Sequence, residues 1–194
     1  MPTLFIIFGT LLASIITILS IYFIMPFPGS QYAETIDIAY TLHRAYWFVM
    51  IPLLGLGVYG YIRLYLDNAA MLRKVVLTIP FVIIGIIMYM ADRVMSADAM
   101  FLQPTTIEHV SVQDIGLDSS MIVIGTEVNG ESKAYPLNVV GYHHQIRDSI
   151  GGVPVMITYC TVCRTGRIWD PIIDGTNETF RLVGMDHFNA MFED

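Results

Sequence analysis

The chain has 194 residues, 55% of them hydrophobic and 14% charged, with a formal net charge of −7. Soluble domains carry about 25% charged residues, so this composition argues against a wholly soluble chain. An acidic balance without basic runs argues against a nucleic-acid-binding surface. The charges are also uneven: residues 1–94 hold four acids and five bases, and residues 95–194 hold thirteen acids and five bases.

The first half, residues 1–94, reads as a three-helix transmembrane region. Leu4 to Met25 is 22 residues without a charge, enough at 1.5 Å per residue to cross a hydrocarbon core of about 30 Å. A cleaved signal peptide fits less well. No Lys or Arg precedes the run, the run is too long, and Pro26-Phe27-Pro28-Gly29 is a loop rather than a small-residue cleavage site. Ala45 to Ile62 gives a second span and Val75 to Ala91 a third, bracketed by Arg44 and Arg63, and by Lys74 and Asp92. Pro52 and Pro80 lie inside them, as membrane helices tolerate, with Thr78 placed to serve backbone groups freed near Pro80. His43 and Arg44 read as an interfacial pair at a helix end. Gly57 and Gly60 read as helix-packing positions. The 63–74 loop carries Arg63, Arg73 and Lys74, against a single Arg in the 26–44 loop. The positive-inside rule then puts the N-terminus in the cytoplasm of a multi-pass cell-membrane protein, with everything after Ala91 outside. The partner this implies is the lipid bilayer, and no protein partner is indicated.

The second half, residues 95–194, is long enough for one core and reads as mostly β. Asp92 to Pro104 is a tether, and the alternation of Ile107 to Val112 predicts a first short strand. Asn129-Gly130 between Met121–Val128 and Glu131–Pro136 predicts a type I′ hairpin. Leu137 to Ile150 predicts a short helix or a long loop, broken by Gly151-Gly152. Val153 to Asp170 predicts strand, thiol-bearing turn, strand. Asp174 to Asn177 is a further turn, and Thr179 to Val183 a further strand. The fold class is therefore α+β: three transmembrane α-helices followed by a mostly β extracytoplasmic domain, a small sandwich or partial barrel of roughly six strands.

Both cysteines of the chain, Cys160 and Cys163, lie in the thiol-bearing turn. The pair has three readings. It binds a soft metal such as zinc or copper with imidazole help, it cycles between dithiol and disulfide, or it staples the turn of a non-catalytic interaction module. Candidate imidazoles are His143 and His144, whose side chains diverge because they are adjacent, with His187 and Met185 as more distant candidates. Arg164 is an accessory cation able to lower a thiol pKa. Asp148 and Arg147 read as surface or turn residues, and Trp169 and Tyr159 as core aromatics. A hairpin turn suits a metal knuckle better than a thioredoxin-like pair, which sits at a helix N-terminus.

In order, Asn129-Gly130, Ala134-Tyr135-Pro136-Leu137, Tyr142-His143, Gly151-Gly152-Val153-Pro154 and Thr158-Tyr159-Cys160-Thr161-Val162-Cys163 resemble a family of bacterial and archaeal proteins grouped as domain of unknown function 3179. The resemblance covers roughly residues 104–194. Many members have Pro-Leu where Thr161 and Val162 stand, Glu where His144 stands, and Asn where Arg147 stands. The family domain runs on through a further Ser-Trp segment, so the resemblance implies a domain continuing beyond Asp194. It implies no agreed activity.

Overall fold

The computed structural model of the chain describes residues 1–114, 116, 118 and 120–194. They divide into two compact units, Met1–Ser96 and Ala97–Asp194.

The first unit is three α-helices, α1 (Pro2–Tyr22), α2 (Ile36–Leu66) and α3 (Met71–Arg93), each long and apolar enough to cross a membrane. Most of their large apolar side chains face outward; Phe48, for example, is 84% exposed. Water does not sustain so large an apolar surface, whereas lipid does, and the chain is a membrane protein. Helix packing needs small residues where backbones meet. A Cβ on Gly9 would lie 2.5 Å from the Leu53 carbonyl oxygen, and one on Gly60 would lie 2.7 Å from that of Pro2. The Thr17 hydroxyl meets the Tyr46 hydroxyl at 3.0 Å, and Tyr61 meets Thr78 at 2.7 Å. Thr78 also donates to the Lys74 carbonyl, not to the Val76 carbonyl that Pro80 leaves free. α2 and α3 run past the spans expected from hydropathy, whereas α1 ends at Tyr22, short of the expected Met25. α2 starts at Ile36 rather than Ala45, so His43 and Arg44 lie within it. A hydropathy criterion sees only the lipid-compatible part of a helix, and polar first turns escape it.

The second unit opens with a four-residue helix, α4 (Ala97–Met100). Next come the hairpin β1 (Val123–Val128) and β2 (Glu131–Pro136), the helix α5 (Leu137–His143), and the three-stranded antiparallel sheet β3 (Gln145–Ile150), β4 (Val153–Cys160) and β5 (Thr165–Trp169). Two small ladders follow, β6 (Ile172–Ile173) with β7 (Thr176–Asn177), and β8 (Arg181–Asp186) with β9 (Asn189–Glu193). Ile107 to Val112 forms no strand; all six residues are exposed. Alternation alone does not make a strand without a neighbour to take its backbone hydrogen bonds.

The central strand β4 decides the layout. Successive side chains point to opposite faces. Val155 and Ile157 go into a core with Tyr135, Val140, Ile146 and Ile150, against which Ile124, Val128, Tyr159 and Ile168 pack. Each fully buried aliphatic side chain there contributes about 1.5–3 kcal/mol. Gly166 lets β1 close over this face, because a Cβ there would lie 2.8 Å from Ile124 Cδ1. Asp148 also faces this side and is only 11% exposed, so it is not the plain surface residue the sequence suggests. It accepts from the Tyr135 hydroxyl at 2.6 Å and from Lys133 at 3.2 Å, and His109 lies 3.1 Å from it. Burial pushes its carboxyl up, but hydrogen bonds from Tyr135, the Ser149 amide and Lys133, with the charge of His109, outweigh that and hold it below the usual value. The opposite face carries Met156, Thr158 and Cys160, with Trp169, Arg167 and Thr165 as their β5 neighbours.

Among the described residues, four hairpins turn through two consecutive residues of positive φ: Asn129-Gly130, Gly151-Gly152, Asp174-Gly175 and His187-Phe188. This is the primed geometry that matches strand twist. A Cβ on Gly151 would lie 2.3 Å from the Val128 carbonyl oxygen, whereas Gly152 has open space around it. Gly151→Ala is therefore expected to cost about 1–3 kcal/mol, and more than Gly152→Ala. Thermal unfolding of the full chain in detergent checks this; equal melting temperatures for the two variants would contradict it.

Candidate functional site: a thiol pair at the end of an open cavity

β4 ends at Cys160, the chain turns through Thr161–Arg164 with Arg164 at φ 51°, and β5 starts at Thr165, paired with Cys160. The turn is a hairpin, as expected, and it brings the two sulfurs within 2.8 Å of each other. Both cysteines are free thiols, Cys160 half-buried and Cys163 exposed. The Cys163 amide donates to Cys160 Sγ at 3.2 Å.

The β8–β9 turn closes over the pair. The Phe188 carbonyl oxygen is 3.6 Å from Cys160 Sγ, and Asn189 Oδ1 is 2.9 Å from Cys163 Sγ. The Asn189 amide nitrogen donates to the His187 carbonyl at 3.2 Å, which fixes Oδ1 toward the thiol. Of the four primed turns, this one alone has neither Gly, Asn nor Asp at its centre. Bulky Phe188 sits at φ 63°, a conformation that costs about 1–3 kcal/mol. The strain falls on the residue whose carbonyl faces the sulfurs.

The two thiols are not equivalent. Burial pushes the Cys160 thiol up. Hydrogen bonds from the Cys163 thiol and from the amides of Cys163, Val162 and Ala190 outweigh this and leave it below the ordinary thiol value. Cys163 is raised, first by the hydrogen bond it gives Cys160, then by burial and the neighbouring charge. A thiol has one hydrogen to give. With both thiols protonated, Cys163 can donate to Asn189 Oδ1; once Cys160 ionises, the same hydrogen is needed by its thiolate.

The pair opens into a cavity of about 470 Å³ between the outer face of the sheet and the β8–β9 ladder. Met156, Thr158, Thr165, Arg167 and Trp169 line one side; Phe180, Asn189, Ala190 and Phe192 line the other. Trp169 is half-exposed on this wall, held by a 2.9 Å hydrogen bond from Nε1 to the Thr158 hydroxyl. It is not a core residue, because Ile168 beside it takes the core-facing position. Tyr159 does pack against the core, as expected, and its edge also reaches the cavity.

The imidazoles divide as adjacent residues must. His143 ends α5 and its Nδ1 meets the Leu102 carbonyl. His144 follows in a left-handed cap, φ 63°, and it is His144 that lines the thiol cavity, its ring 4.3 Å from that of Phe101. His187 pairs with Asp186 at 3.1 Å. Arg164 is exposed beside the thiols, and Met185 is not among the cavity's lining residues. Among the described residues, no group of three or more His, Cys, Asp or Glu is arranged to hold a metal ion. The two sulfurs converge as soft-metal ligands would, and His144 lines the same cavity, but among the described residues no third ligand is grouped with them. The roles of Phe188 and Asn189 are not legible in the sequence, because no Gly, Asn or Asp at 187–188 marks the turn.

Residues 102–190 match the profile of a family described as protein of unknown function (DUF3179). The match supports the family resemblance over this region. No curated protein and no solved structure matches the chain.

The thiol asymmetry sets an expected pH profile. A lowered pKa keeps Cys160 ionised, and so reactive, at pH values where an ordinary thiol is protonated. Iodoacetamide should alkylate Cys160 before Cys163 near pH 7, and Cys163→Ala should move the Cys160 profile to higher pH. Equal rates at the two positions, followed by peptide mass spectrometry, would contradict the assignment.

Proposed function

We propose that the second unit is a membrane-tethered thiol–disulfide module held outside the cytoplasm, with Cys160 the attacking thiol and Cys163 the resolving one. The observation that carries this is the asymmetric pair: a half-buried sulfur supplied with three amide donors and a thiol donor, 2.8 Å from an exposed second sulfur. A thiolate is the nucleophile in disulfide exchange, and stabilising it makes the pair a better oxidant. The excess of bases at the adjoining ends of α2 and α3 (Arg63, Arg73 and Lys74) supports the outward orientation, where a disulfide persists. In this reading Phe188 and Asn189 position the thiols, and Arg164 is the nearby cation.

A second reading places a zinc or cuprous ion on Cys160 and Cys163 with a histidine. It is supported by the convergence of both sulfurs and His144 on one cavity; His143 would have to leave the Leu102 carbonyl to join. Such an ion would hold the thiols deprotonated and reduced.

Equilibration of the reduced full chain in glutathione buffers separates the readings. The dithiol reading expects a reduction potential between about −120 and −270 mV. A value below about −300 mV would make the pair a structural staple. Stoichiometric metal in anaerobically purified protein, lost in Cys160→Ser, would replace the redox reading with the metal one.

A further inference from the structure

The thiol cavity carries a charge pattern that electron transfer alone does not require. Residues 95–194 hold thirteen acids and five bases, yet three of those bases share the outer face of the sheet and the thiol turn. Strand register puts Arg147, opposite Met156, and Arg167, opposite Thr158, on the same face as Cys160; Arg164 lies in the thiol turn. The other two bases are neutralised. Lys133 is paired with Glu131 and Asp148, and Arg181 with Asp98 and Glu193. Among the described residues, no carboxylate lies within ion-pair distance of Arg147, Arg164 or Arg167.

The acids near this face are engaged elsewhere. Asp148, the only acid of the three strands, points to the core side. Asp186 faces His187, and Asp170 at the cavity's edge accepts from the Ile172 amide at 2.9 Å. The Arg167 guanidinium stays over the Trp169 ring, 5.8 Å from its centre, charged and facing the cavity. Arg167 lines the cavity and exposed Arg164 flanks the thiols, against the single carboxylate of Asp170 at the cavity's edge; an excess of one sign beside a cleft with apolar walls concentrates ligands of the opposite sign. The volume, about 470 Å³, is that of a small-molecule site.

We infer that the cavity's substrate is a small disulfide bearing carboxylates, drawn toward the thiols by Arg167 in the cavity, Arg164 in the thiol turn and Arg147 farther along the same face; this rests on the dithiol reading above. The Cys160 thiolate attacks one sulfur of the ligand. The ligand's S–S bond breaks, a mixed disulfide forms, and the first ligand thiolate leaves and takes a proton from water. Cys163 loses its proton to solvent and attacks the Cys160 sulfur. The Cys160–Cys163 bond forms, the mixed disulfide bond breaks, and the second ligand thiolate leaves and takes a proton from water. The ligand gains two electrons and the protein pair loses them.

Three probes of similar size test this on the reduced full chain in non-ionic detergent: dithiodipropionate, hydroxyethyl disulfide and cystamine, which are anionic, neutral and cationic. Rates of pair oxidation are normalised to those of a free cysteine peptide in the same buffer. The expected order is anionic, neutral, cationic, with a spread of roughly tenfold at low salt that collapses toward unity near about 1 M salt. Arg167→Gln and Arg147→Gln should each narrow the anion-to-cation ratio by about twofold to threefold. The salt profile of the unmodified chain decides the matter even where a variant fails to fold. Normalised rates within about twofold of one another at low salt, or a cationic preference, would overturn the substrate class and leave the dithiol reading standing. Oxidation by none of the probes would overturn both.

Discussion

One strand serves two environments, and the arrangement of the second unit follows from that constraint. Side chains of β4 alternate with a period of two. Val155 and Ile157 are committed to the core, which leaves Met156, Thr158 and Cys160 for the other face. A slip of one residue would bury the thiol and expose the core aliphatics. The Gly151-Gly152 turn fixes the register on one side and the Cys160–Thr165 pairing fixes it on the other. The thiols therefore sit where they do because the core cannot be satisfied otherwise.

The opposite wall of the cavity is built at a cost. The His187-Phe188 turn keeps a bulky residue at positive φ, and that conformation aims the Phe188 carbonyl at the sulfurs while Asn189 meets Cys163. A Gly or Asn at this position would relieve the strain without changing strand pairing. Strain retained beside a reactive pair fits a positioning role, since the acceptors must be present before either thiol ionises. The amides of Cys163, Val162 and Ala190 then give the Cys160 thiolate a solvation shell that burial would otherwise deny it.

Much of this was legible in the sequence, for local reasons. Asn129-Gly130 and Asp174-Gly175 announce their turns because few other residues take that backbone. The apolar run of β4 and the flanking Gly166 announce a strand–turn–strand. The three helices announce themselves by length and apolarity, although their polar ends, such as Ile36–Arg44, do not. What stayed hidden depended on contacts distant in sequence. Nothing local marks His187-Phe188 as a turn, so β9 and the Asn189 contact were unseen. The choice between His143 and His144 is made by a left-handed helix cap, and the exposure of Trp169 by which β5 neighbour took the core. Ile107–Val112 has a strand's alternation but no strand beside it.

The central claim is that Cys160 attacks and Cys163 resolves. Trapping tests it most directly. The reduced Cys163→Ser chain is incubated with a small disulfide, and the product is read by intact mass. A stable adduct on Cys160, reversed by reductant, is the predicted result, with the Cys160→Ser chain forming little adduct under the same conditions. Adduct formation at equal rates on Cys163 in the Cys160→Ser chain would contradict the account.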